Sequence, residues 1–126
     1  MKVWRVEHGE KQDSRNLPYG PYRAAGEVSR EGLAGMYQAH SDRKHQTPIG
    51  DPMLNGIDYD EVCGMDSRSA LDEWFSGWTE VLDSLGFLVS VYEVPAGSVR
   101  KGSHGQVLFR YCDARRIANE FWSVAA

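Results

Sequence analysis

FLVSVYEVPAGSVRKGSHGQVLFRY, residues 87–111, decides how the fold is read. Its opening, FLVSVYEV over 87–94, is β-branched and aromatic and stops at Pro95, which cannot donate to a sheet ladder. GQVLFRY, residues 105–111, is a second strand. Residues 95–104 between them hold Gly97 and Gly102 and read as a connection. Strands this close in sequence are expected to pair antiparallel. Gln106 stands at the mouth of the second one and has two readings, an ordinary strand-edge side chain or a polar group aimed into a nucleotide pocket.

Just upstream, SRSALDEWFSGWTEVLDSLG over 67–86 puts Leu71, Trp74, Phe75, Trp78, Val81, Leu82 and Leu85 on one stripe, as a helix requires. Asp66 or Ser67 caps its start and Gly86 supplies a left-handed stop. Trp74 and Trp78 read as core anchors. Cys63 and Gly64 end a short strand before that helix. Downstream, Asp113 opens a short closing helix whose apolar stripe is Ala114, Ile117, Ala118 and Phe121.

The first half is less regular. KVWRVEH, residues 2–8, alternates, with Trp4, Val6 and His8 on one face and Val3, Arg5 and Glu7 on the other. This strand joins the same sheet, because alone it cannot satisfy its backbone groups. Gly9 to Gly26 carries LPYGPYR and is loop, with Tyr19 and Tyr22 as anchors. Ser29 to His40 holds Leu33, Met36, Tyr37 and His40 at helical spacing, weakened by Gly32 and Gly35. Ser41 to Val62 is punctuated by Pro48, Gly50, Pro52 and Asn55-Gly56; it is either a functional loop or a variable surface loop. The expected fold class is α+β: one domain over residues 1–126, with a small, mostly antiparallel sheet flanked by helices.

A net charge of −4 over 126 residues argues against polyanion binding over the whole surface. Arg100-Lys101 and Arg115-Arg116 are local basic clusters that read as solvated faces. Cys63 and Cys112 lack a CxxC partner and are expected to be reduced thiols in a cytoplasmic protein. No apolar run approaches the roughly 18–20 residues of a membrane span, so no membrane partner is expected. His8, His40, His45 and His104 form no HExxH pattern, and no metal is expected. There is no GxSxG elbow, no Walker loop and no GxGxxG between a strand and a helix.

Three segments, WRVEH, CGMDSRSALDEWF and VYEVPAGSVRKGSHGQVLF, resemble in order the three blocks of the ADP-ribosyltransferase fold. The resemblance covers about 60 residues in pieces. It implies NAD as substrate. It implies Arg5 or His8 on the first strand at the NAD ribose, Ser67 at the nicotinamide pocket, and Gln106 at the position of the family's catalytic glutamate. Gln106 can hydrogen-bond a ribose hydroxyl but sets no charge against a developing cation, a loss on the order of a hundredfold or more in rate. Glu93 and Glu7 are candidates for the missing acid. His8 and His104 would add hydrogen bonds, Tyr19 and Tyr22 would stack on a ring, and the 41–62 loop would act as a lid or recognise the acceptor.

On residues alone, Arg5 is equally a salt-bridge partner for Glu7 or Glu93, and Ser67 a helix cap. Two functions follow. The first is a domain that binds NAD or an ADP-ribose-type nucleotide and transfers ADP-ribose to a nucleic acid or protein acceptor. The second is a non-enzymatic phage or mobile-element interaction protein that binds a host protein or sequesters a nucleotide signal. WRVEH, GPYR, YEV and QVLF also resemble small phage proteins, in keeping with the second.

Overall fold

A computed structural model describes residues 1–22, Leu33, Gly35, Met36, His40, Asp51, Met53, Leu54 and 56–122. Most of the expected helix from Ser29 to His40 and most of the 41–62 loop lie outside the described residues. Six strands form one sheet: β1 (Lys2–His8), β2 (Glu61–Met65), β3 (Phe87–Glu93), β4 (Val99–Lys101), β5 (Gln106–Arg110) and β6 (Arg115–Glu120). Their order across the sheet is β4-β5-β2-β1-β3-β6, and every neighbouring pair is antiparallel. With the helices α1 (Arg68–Trp74) and α2 (Thr79–Ser84), this is an α+β architecture.

The period-2 pattern of residues 2–8 becomes the central strand. β1 pairs along its whole length with β3, from Lys2 opposite Glu93 to His8 opposite Phe87. On its other side it meets β2 at Trp4 opposite Met65. Gly64 permits that approach, since a Cβ there would lie 2.5 Å from Val3 Cγ1 and 2.9 Å from the Trp4 carbonyl oxygen. Further along, the 11–20 loop lies against β1 instead: the His8 N–H donates to the Tyr19 carbonyl at 2.8 Å.

Alternation sorts the core onto two faces. Val6, Met65, Phe87 and Val89 meet Leu71, Trp74, Phe75 and Leu82 from the helices, together with Leu33 and Met36. On the opposite face Val3, Val62, Tyr92, Val94, Val107 and Phe109 form a second cluster, closed by Leu17, Val99, Tyr111 and Ala114. Tyr111 and Ala114 belong to the short connection from β5 to β6.

Four expectations are corrected. The strands at 87–94 and 105–111 do not pair; β2 and β1 stand between them. The helix over 67–86 is two helices, broken where Gly77 turns to φ 88°, although its stripe is buried as expected. The closing segment is not a helix but strand β6, paired with β3. β4 also forms inside the stretch expected to be connection.

Candidate functional site

Arg5 sits where β1 and β2 diverge. Its guanidinium donates from Nε to Glu7 Oε2 at 3.1 Å, from Nη1 to the Cys63 carbonyl at 2.8 Å and from Nη2 to the Pro18 carbonyl at 2.9 Å. Gly20 closes over it, where a Cβ would lie 3.3 Å from Nη2, and the side chain is 3% exposed. Glu7 is 0% exposed and accepts a 2.6 Å hydrogen bond from the Tyr92 hydroxyl. Burial, and then the Glu7 carboxylate, push the Tyr92 hydroxyl far above its ordinary value. Arg116 approaches Glu7 to 3.8 Å from the surface. Of the two partners expected for Arg5, Glu7 is the one it takes; Glu93 binds the N-terminal ammonium at 2.9 Å.

Gln106 is also buried, at 2% exposure, but on the other face. It pairs with Met65, Met65 pairs with Trp4, and Trp4 precedes Arg5, so the two side chains leave the sheet on opposite faces. Arg5 Nη1 nonetheless reaches through the gap to Cys63 Sγ at 3.5 Å, and Cys63 lines the same recess as Gln106. Gln106 Nε2 lies 3.4 Å from Asp51 Oδ2. Asp51 also accepts from the Ser103 N–H at 2.7 Å, the Ser103 hydroxyl at 2.8 Å and the Met53 N–H at 3.0 Å. Burial alone would raise the Asp51 carboxyl, but these hydrogen bonds outweigh it and hold it below the usual range.

His8 is a structural histidine. Its Nδ1 accepts from the Glu10 and Lys11 N–H groups, at 3.1 and 2.9 Å, and its Nε2 lies 3.0 Å from the Leu85 carbonyl. It ties the end of β1 to the end of α2. Tyr19 packs against the helix-side core.

Four of the expected residues do converge, around Trp74. A small apolar recess of ≈ 20 Å³ is lined in part by Tyr22, Trp74 and Gln106; this holds about one water and no nucleotide ring. Tyr22 Oη accepts from Trp74 Nε1 at 2.6 Å and shares a 2.6 Å hydrogen bond with His40 Nδ1. On the outer side of Trp74 a groove of ≈ 570 Å³ is lined by Asp66, Ser67, Ser69, Ala70, Glu73, Trp74, His104 and Gly105, a size typical of ligand sites.

Local sequence builds both walls of the groove. Ser67 is the N-cap of α1, its hydroxyl accepting from the Ala70 N–H at 3.1 Å, so the capping expected for it is realised. His104 and Gly105 have φ of 57° and 78° at the centre of the β4–β5 hairpin, closed by the Gln106 N–H on the Ser103 carbonyl at 2.9 Å. Tight hairpins favour such left-handed pairs. Gly105 brings the hairpin against α1, since a Cβ there would lie 2.8 Å from Ala70 Cβ. Sequence reasoning missed Glu73, and took Asp66 only as an alternative cap. Their one signal is spacing, which places both around the first two turns of α1.

Among the described residues no group of three or more His, Cys, Asp or Glu side chains is arranged to hold a metal. None of their helices is long and apolar enough to cross a membrane.

The family described as "Bacteriophage T4 Y00F protein" matches residues 1–123, and the chain belongs to that family. No curated protein and no solved structure matches the chain.

Proposed function

We propose that this member of a phage protein family acts by binding rather than by catalysis, and that the groove between α1 and the β4–β5 hairpin takes a basic side chain of a protein partner. One observation carries this reading: the lining pairs the Asp66 and Glu73 carboxylates with the Trp74 ring, the Ser67 and Ser69 hydroxyls and the His104 imidazole. Among the described residues that line it there is no Lys or Arg. Two carboxylates suit a guanidinium or an ammonium by ion pairing. They repel a phosphate. Arg5, the cation assigned to the ribose by the ADP-ribosyltransferase resemblance, is buried in the gap between β1 and β2 and spends its donors on Glu7, Cys63 and Pro18.

The test is calorimetric titration of a short Arg- and Lys-rich peptide. Binding should weaken about tenfold, or 1.4 kcal/mol, in Asp66→Asn/Glu73→Gln, and should stay unchanged in Glu80→Gln/Asp83→Asn, which removes equal charge from α2. Equal weakening in both double variants would reduce the interaction to net charge and remove the groove from it.

The nucleotide reading has its own support in the gathering of Tyr22, Ser67, His104 and Gln106 around Trp74. On that reading NAD or ADP-ribose occupies the groove, with Gln106 reached by opening the inner recess. Ligand at a hundred times its dissociation constant would add about 2.7 kcal/mol of stability, readable by thermal shift with NAD, ADP-ribose and nicotinamide.

A further inference from the structure

We propose that β6 is a self-pairing edge, joining two copies of the chain antiparallel about a two-fold axis between Ile117 and Ala118. Among the described residues β6 is the last strand of the sheet, with β3 its one strand neighbour, and all six of its residues are exposed. A six-residue edge without proline is an open template for another strand. What fits it is written in its own sequence, Arg115-Arg116-Ile117-Ala118-Asn119-Glu120. Antiparallel pairing about that axis sets Arg115 against Glu120 of the second copy, Arg116 against Asn119 and Ile117 against Ala118, each twice. Such an interface is self-complementary, as a two-fold requires.

The side chains must also share a face, and the β-bulge in β6 arranges this. Opposite residues of antiparallel strands point the same way, whereas residues five apart on a regular strand point oppositely. In β6 the register skips Ile117: Val91 pairs with Ala118 and Tyr92 with Arg116. Arg115 therefore shares the face of Glu93 and Glu120 that of Val89, which are the same face of β3; Arg116 and Asn119 share the opposite one with Tyr92 and Ser90. The extra residue brings Arg115 and Glu120 into phase, and without it the charge pairs would straddle the sheet. The same register lays Phe121, 89% exposed, beside Ala114 of the second copy, whose backbone is extended. It brings Ile117, 42% exposed, to the axis.

Sedimentation equilibrium on the full chain tests this. Wild type should run at twice the mass of the chain. Arg115→Glu and Glu120→Arg should each shift it to monomer, by setting like charges opposite each other at both ends. A one-to-one mixture of the two variants should recover the dimer, because each then supplies the charge the other lacks. Glu120 also accepts from Trp4 Nε1 and Arg68 Nη1 at 3.0 Å, so each variant's melting curve must first show a folded protein. If Glu120→Arg fails that control, Arg115→Glu against Arg115→Lys carries the comparison, the first expected monomeric and the second, which keeps the charge, dimeric. Monomeric wild type, or a dimer indifferent to these charges, would overturn the proposal.

Discussion

Arg5 and Gln106 leave the same sheet on opposite faces, although both are nearly inaccessible, at 3% and 2% exposure. β1 carries Arg5 into the gap it shares with β2 and the 11–20 loop, where Glu7, Cys63 and Pro18 supply acceptors to the guanidinium. Gln106 enters the helix side, next to Met65. Arg5 is thereby the linchpin of a buried polar network, and Gln106 the inner edge of a pocket.

Arg5→Met should destabilise the protein by about 3–5 kcal/mol, because it leaves the Glu7 carboxylate buried beside fewer donors. Arg5→Met/Glu7→Gln should recover much of that loss. Urea unfolding of the single and double variants measures both. A single variant as stable as wild type would show that the network contributes nothing.

Tyr92→Phe removes the hydroxyl that donates to Glu7 at 2.6 Å. The expected cost is about 1–3 kcal/mol, the range for leaving a buried acceptor short of a donor. The ring itself should stay packed against Phe109, whose centroid lies 5.5 Å away, so near-ultraviolet circular dichroism should change little.

Acid should unfold the chain through carboxyls held low in the native state. The Arg100 guanidinium holds Glu61 below its ordinary 4.5. For Asp13, burial is outweighed by hydrogen bonds from Arg15 and Leu17, and the carboxyl falls below its ordinary 3.8; Asp51 is lowered likewise. Folded values below unfolded ones give stability that is complete above the unfolded values and lost as pH falls through the folded ones. Unfolding free energy should therefore be flat down to about pH 5 and fall below about pH 4. Arg100→Met should make that fall shallower, which equilibrium unfolding across pH would reveal.

Ser67→Ala should cost about 1 kcal/mol through loss of the cap on α1. If that is the whole role of Ser67, ligand affinity corrected for folding should not move. Gly77→Ala should cost a similar amount, about 1–2 kcal/mol, because φ of 88° is unfavourable for a residue with a Cβ. Thermal melts of both variants check these values.

Patterns set by burial were legible in the sequence. The alternation of residues 2–8 marks the central strand, and the stripe from Leu71 to Leu85 marks the helical layer even though Gly77 splits it. β6 was not legible for two physical reasons. All of its residues are exposed, so no buried face writes an alternation. Its bulge at Ile117 also breaks the period of two and leaves Ile117, Ala118 and Phe121 spaced like a helix face. Pairing of 87–94 with 105–111 followed from the tendency of neighbouring strands to associate; it was overridden because β1 fills the position beside β3 along its full length. The site was half legible. Ser67, His104, Tyr22 and Gln106 do gather around Trp74, but the face taken by Gln106 depends on a β2–β5 register that no local pattern encodes.

Nicotinamide release from NAD, followed by chromatography with wild type, Arg5→Met and Gln106→Ala, probes most directly whether this fold binds or catalyses. The account predicts no release above buffer from any of the three, with wild type folded and binding the basic peptide. Release by wild type that vanishes in Gln106→Ala, with that variant still folded, would contradict it.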